Sequence, residues 1–234
     1  MSNKIIPSII TALGLALGGF FIGNGFFKAR SLDRYVTVKG LAEKEVDADM
    51  AIWPIVFNEP GNNLKTVNST IQSEARLIQD FLTRAGFGSE EVSIGVSTVT
   101  DNQATGYYAG NNQPFRYLGQ GRITVNSEQV DLVRQTMSRL NELIDLGVVI
   151  AQENYDARVQ FLFTRLNDIK PEMIEEATLN ARQAAQKFAE DSGSDINKIR
   201  RADQGLFTIS NRDLNSPHKK KVRVVTTIEY LLED

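Results

Sequence analysis

The chain has 234 residues, 26 Lys and Arg against 29 Asp and Glu, and a net charge of −3. So mild an acidity argues against nucleic acid or an anionic lipid surface as the main partner. Cysteine is absent and His218 is the single histidine, which excludes disulfides, thiolate nucleophiles, sulfur-ligated metals and two-histidine metal sites.

Residues 5–27 carry no charged side chain and are bracketed by Lys4 and by Lys28 and Arg30. At about 1.5 Å per residue, roughly 20 such residues cross a bilayer core. The sequence therefore predicts a transmembrane anchor over 5–27, a cytoplasmic tip at 1–4 and a linker over 28–34. The competing reading is a cleaved signal peptide, with an apolar stretch of about 7–15 residues before a small-x-small site. Here the run is longer and leaves through Gly25-Phe26-Phe27-Lys28, which favours the anchor. At about 100° per residue, Gly14 and Gly18 share one side with Thr11 and Gly25. Gly19 and Gly23 share the nearly opposite side with Ala12 and Ala16. Small residues four apart let helices approach closely. Gly14, Gly18, Gly19 and Gly23 are thus the expected helix contacts of an oligomer; the plainer alternative is ordinary membrane-helix composition. Flanking charge does not decide orientation.

After the linker, Tyr35–Val38 and Met50–Phe57 read as strands around a polar, acidic stretch. Pro54, unable to donate to a ladder, predicts an edge position or a bulge. A helix follows, capped by Asn62 or Asn63, with Leu64, Val67, Ile71, Ala75, Ile78 and Leu82 on one stripe and Gly86 at its end. Val92–Val99 alternates as a strand, 101–120 reads as a long loop rich in Asn, Gln, Gly and Tyr, and Gly121–Val125 is the return strand. A second helix opens at Asn126 or Ser127, with Gln129 placed for a capping box. Its stripe is Val130, Val133, Met137, Leu140 and Ile144, and it stops at Gly147. A strand pair is predicted over 148–166. The third helix starts at Pro171, with Ile174, Ala177, Ala181, Ala184, Ala185, Phe188 and Ala189 inward, and ends at Gly193. Strands near 205–209 and 222–231 close the chain around a turn holding Pro217 and His218. Few helices and adjacent strands make the class α+β, with sheets rich in antiparallel pairs, three main helices after the anchor, and one domain over 35–234.

Four stretches carry a family resemblance: Val36-Thr37-Val38-Lys39-Gly40-Leu41-Ala42-Glu43, Asp49-Met50-Ala51-Ile52, the alanine-spaced helix Asn180–Ala189, and Ser192-Gly193 followed by Ile199. In order and spacing the chain resembles the SIMPL domain proteins from about Tyr35 onward. It departs from them at Ala48, where the family usually has proline. The resemblance implies a bacterial envelope or secreted protein, often oligomeric in this family, linked to stress resistance and without an established enzymatic site. It places the domain in the periplasm, tethered to the inner membrane.

Several residues invite a functional reading. Glu43, Glu45, Asp47 and Asp49 offer carboxylate oxygens to a hard cation, but the interposed Lys44 favours a solvated face. Lys219, Lys220, Lys221 and Arg223 suit an acidic partner, or more simply guard a strand edge. Trp53 reads as core. Tyr107, Tyr108, Phe115 and Tyr117 stand in the long loop, where exposed aromatics make good contact residues, or fold back on their own hairpin. No catalytic, cofactor-binding or metal residues are expected. The expected function is a membrane-anchored, extracytoplasmic, oligomeric scaffold, a ring being one form, that meets the bilayer through 5–27 and an envelope protein through its domain. The alternatives are a ligand- or peptide-binding module and, less favoured, an enzyme built on paired carboxylates.

Overall fold

The structure is a computed structural model that describes residues 5–31, 34–104, 114–151 and 158–233; within the first of these, side chains are described for 12–25. The elements are α1 (Ile5–Ser31), β1 (Tyr35–Asp47), β2 (Met50–Gly61), α2 (Leu64–Ala85), β3 (Val92–Ile94), β4 (Thr98–Asp101), β5 (Tyr117–Ser127), α3 (Val130–Met137), α4 (Asn141–Asp145), β6 (Gln160–Leu162), α5 (Leu166–Asp191), β7 (Asp195–Gln204), β8 (Thr208–Asn211) and β9 (Lys219–Glu233). The class is α+β, as expected. No helix among the described residues is long and apolar enough to cross a membrane.

The chain divides into two compact units. Unit 1 comprises Met1–Lys44, Asn167–Ile209 and Val222–Asp234; unit 2 comprises Glu45–Leu166 and Ser210–Lys221. In unit 1 the strand order is β1-β9-β7, with β8 also pairing on β9. Its core is small: Val38, Ala181, Ala185, Ile228 and Tyr230. The helix α5 buries Met173, Ala177, Ala181, Ala185 and Ala189, a stripe so slim that helix and sheet backbones meet. Gly40 is required there, because a Cβ would overlap the carbonyl oxygen of Ala177 and lie 2.5 Å from the Ala181 nitrogen. Asn180 Nδ2 donates to the Leu41 carbonyl at 2.8 Å and holds the same approach.

Unit 2 contains the sheet β3-β5-β2-β6, with β4 continuing the edge on β5. β2 and β5 pair antiparallel from Ala51↔Ser127 to Gly61↔Tyr117. The core is built of large side chains, among them Trp53, Ile55, Phe57, Ile71, Ile78, Phe81, Leu82, Ile123 and Leu143. Phe57 lies over Gly121, its cross-strand partner. Asn63 caps α2 by accepting the Lys65 and Thr66 N–H groups at 3.0 and 3.2 Å. Gly86, at φ +111, closes the helix in the left-handed conformation.

Several expectations are corrected. Pro54 lies in a central strand, not at an edge. β6 pairs only with 50–52 and Ile150 bridges only Phe57. The Asn58 N–H donates to Val149 and Val56 accepts from Ala151, so even-numbered backbone groups face that side. Pro54 therefore turns its missing donor to a stretch of that side where no strand pairs among the described residues. The second helix is two helices: Arg139, Leu140, Glu142 and Leu143 each donate three residues back. This tighter winding turns the chain by about one residue, burying Leu143 and leaving Ile144 49% exposed. The third helix begins at Leu166, with Pro171 inside it. A proline so near the start removes only one ladder bond. Phe188 and Leu64 are exposed, and β7 is a strand that the sequence reading did not see.

Candidate functional site

A cleft of about 580 Å³ in unit 2 is lined by Ala48, Asp49, Met50, the stretch Glu128–Leu132, Thr164 and Arg165. Three elements shape it. β1 ends at Asp47 and the chain turns through Ala48 and Asp49 into β2. The Ala48 N–H donates to His218 O at 2.8 Å and the Asp49 N–H to Leu162 O at 2.9 Å. On the opposite wall, α3 starts at Gln129, which caps with no side-chain bond; Ser127 Oγ instead accepts the Gln129 N–H at 3.0 Å and donates to Glu91 at 2.5 Å. The expected capping box is replaced by this Glu91-centred arrangement. Burial alone would raise the Glu91 carboxyl, but the bonds from Ser127, Gly88 and Gln129 hold it below the usual range.

Asp49 is the most constrained group of the cleft. Its carboxylate accepts from the Thr164 N–H at 2.8 Å, Thr164 Oγ1 at 3.1 Å, the Arg165 N–H at 3.1 Å and Arg165 Nε at 3.3 Å. Burial by itself would raise its pKa; these bonds outweigh it and keep the acid below the ordinary carboxyl range. Asp49 is thus a fixed anion that fastens the start of β2 to Thr164 and Arg165, and it has no proton to give. Asp131 pairs with Arg134 at 3.0 Å, which leaves Glu128 as the lining carboxylate with no ion pair among the described residues.

A smaller cavity of about 170 Å³ shares Ala48, Val130 and Asp131 with the cleft and adds Asp47, Arg134, His218 and Lys219. Its imidazole stands edge-on to Phe161, ring centres 6.1 Å apart. Burial, then the charges of Arg134 and Lys219, depresses His218 against the smaller opposing pull of Asp47 and Asp131. The ring is therefore neutral at neutral pH. Together the two cavities offer acids, two guanidiniums, an ammonium, an amide and a neutral imidazole, a lining suited to holding a polar ligand.

The other sequence-derived candidates scatter. Tyr107 and Tyr108 lie outside the described residues. Tyr117 packs against the unit 2 core beneath the Arg116 guanidinium, 5.0 Å from its ring, while Phe115 is 42% exposed. Arg116 and Asp101 close the loop base at 2.9 Å. Glu43, Glu45 and Asp47 do not converge; each faces a cation, Arg223 at 3.8 Å, Arg212 at 3.7 Å and Lys219 at 2.5 Å respectively. Among the described residues no group of three or more His, Asp or Glu gathers as for a metal ion. The lysines at 219–221 enter β9, which lies inside its sheet, so they guard no edge. Lys220 is buried, donates to Asn211 Oδ1 at 2.5 Å, and burial lowers its pKa. A Cβ built on Gly14, Gly18, Gly19 or Gly23 meets nothing within 4 Å.

Residues 36–225 match the family model described as SIMPL, Protein of unknown function (DUF541). The chain belongs to this family. Among curated proteins none matches it.

Proposed function

We propose that the protein is a membrane-anchored, extracytoplasmic scaffold of the bacterial envelope that works by assembly and contact, not by catalysis. The observation that carries this reading is the surface of α1. Leu13, Leu15, Leu17, Phe20, Phe21 and Ile22 are each more than half exposed, residues 5–27 contain no charge, and such a surface is stable only against lipid or other helices. The lining of the cleft supports the non-catalytic part, since Asp49 is committed to four donor groups and Asp131 to Arg134.

Self-assembly is tested through the glycines. Because a side chain at Gly18 or Gly19 meets nothing in a single chain, Gly18→Leu and Gly19→Leu leave the lone helix intact and report only on a neighbour. Both variants are expected to lower the oligomer mass in nanodiscs. A wild-type monomer at every concentration would remove the assembly reading. Protease added to intact spheroplasts is expected to digest the domain; digestion only after lysis would reverse the orientation.

The second reading is a ligand-binding module, favoured by the cleft with Glu128, Gln129 and Arg165 on its wall. A small polar molecule whose binding is lost in both Glu128→Gln and Arg165→Ala, with the fold unchanged, would establish it.

A further inference from the structure

Away from the cleft, unit 2 buries a carboxyl group that its packing does not satisfy. Glu74 lies on α2 between Ile71 and Ile78, on the face that enters the core, and is 5% exposed. Its Oε2 is buried and has no hydrogen-bond partner. An ionised carboxylate in that position costs several kcal/mol by ordinary desolvation, so such groups hold a proton instead.

The surroundings give no cation to offset the charge. α2 packs on β2 and β5 and also meets β3, α3 and α4. On β2, Trp53, Ile55 and Phe57 face the core, and strand alternation puts Glu59 on that same side. Across from Glu59 stands Gly119, over which Val67 and Ile71 of α2 pack. β5 otherwise presents Gly121, Ile123 and Val125 there, and β3 is Val92-Ser93-Ile94. On α3 Arg134 pairs with Asp131, and between α3 and α4 Arg139 pairs with Glu142 while its guanidinium lies 5.7 Å from the Phe81 ring of α2; Asp145 of α4 is a further acid, not a cation. On α2 itself the residues three and four away from Glu74 are Thr70, Ile71, Leu77 and Ile78. A second carboxylate faces Glu74, and among the described residues no cation does.

We propose that α2 is held on its sheet by a proton: Glu74 docks as a neutral acid, and its ionisation loosens α2 from β2 and β5, making unit 2 responsive to pH. Burial, and then the neighbouring Glu59, pushes the Glu74 acid up to about 7 from its ordinary 4.5. The folded state thus keeps a proton that the unfolded chain releases. Stability from this group is full below the ordinary value, falls as pH rises through the window up to about 7, and is level above it. The inference does not rest on anchoring or assembly.

Hydrogen exchange of the α2 amides in the full chain, corrected for the intrinsic rate, tests it. The opening constant of α2 is expected to rise roughly tenfold per pH unit between about 5 and 7 and then to level. Glu74→Gln, equal in size and always neutral, is expected to abolish the rise; Glu59→Gln is expected to move its midpoint to lower pH. A wild-type α2 whose opening ignores pH overturns the proposal, as does a Glu74→Gln variant that keeps the wild-type slope. Should the Gln variant not fold, Glu74→Leu is read in the same way, and the wild-type profile decides by itself.

Discussion

Unit 1 and unit 2 each place helix on sheet, yet they are held by opposite means. In unit 2 the space between α2 and the sheet is filled by Phe57, Ile71, Ile78, Phe81 and Ile123, all close to zero exposure. In unit 1 it hardly exists: Ala177, Ala181 and Ala185 face Val38 and Gly40, and the backbones touch. The first arrangement draws its stability from buried apolar volume. The second draws on close approach, where one extra carbon does more harm than one missing carbon. The same sheet-and-helix architecture is therefore sensitive to deletion in one unit and to insertion in the other.

The largest expected effect is deletion in unit 2. Phe57→Ala removes a ring that covers Gly121 and should cost roughly 3–5 kcal/mol, measured by denaturant unfolding. Hydrogen exchange should assign the loss to amides of β2, β5 and α2. Equal loss in β1 and β9 would show that the contrast between the units is not energetic. Next in size is insertion in unit 1. Gly40→Ala forces a methyl into the Ala177 carbonyl and should cost about 3 kcal/mol, the upper end for overpacking because a helix backbone yields less than a side chain. The effect should appear in β1 and α5 amides, and a neutral outcome would mean that α5 lifts without penalty.

The smallest effect sharpens the comparison by touching neither core. Asp49→Asn puts an amide NH₂ where an oxygen met the Thr164 and Arg165 donors and should cost about 2 kcal/mol. Asp49 is held below the ordinary 3.8. Its contribution is therefore complete above that value and is lost as pH falls through the lower folded one. The acid limb of a pH–stability curve should flatten in the variant; an unchanged limb would assign it to other carboxyls.

Local signals in the sequence carried far. Asn63 and Gly86 bound α2 because a cap and a left-handed glycine act within one turn. The stripe of Val67, Ile71, Ile78 and Leu82 is buried as its spacing demands. The alanine run 181–189 marked a helix face, and the family followed from the order of short motifs along the chain. The inward set in α4 escaped because winding with three-residue bonds shifts a stripe that was counted at 3.6 per turn. Pro54 was misplaced because strand neighbours are chosen by tertiary pairing, and a gap in that pairing leaves no mark nearby in the sequence. The cleft escaped for the same reason: Asp49 and Thr164 are 115 residues apart, and no periodicity joins them. Glu74 reads in sequence as one more polar residue on a helix; only the packing of α2 against Glu59 and Gly119 makes it a buried acid. The sequence by itself determined the class, the family and the limits of α2, which are short-range or cumulative properties. The tertiary structure alone decided which charges are clamped, paired or stranded, because burial and field depend on neighbours that the chain brings from far away.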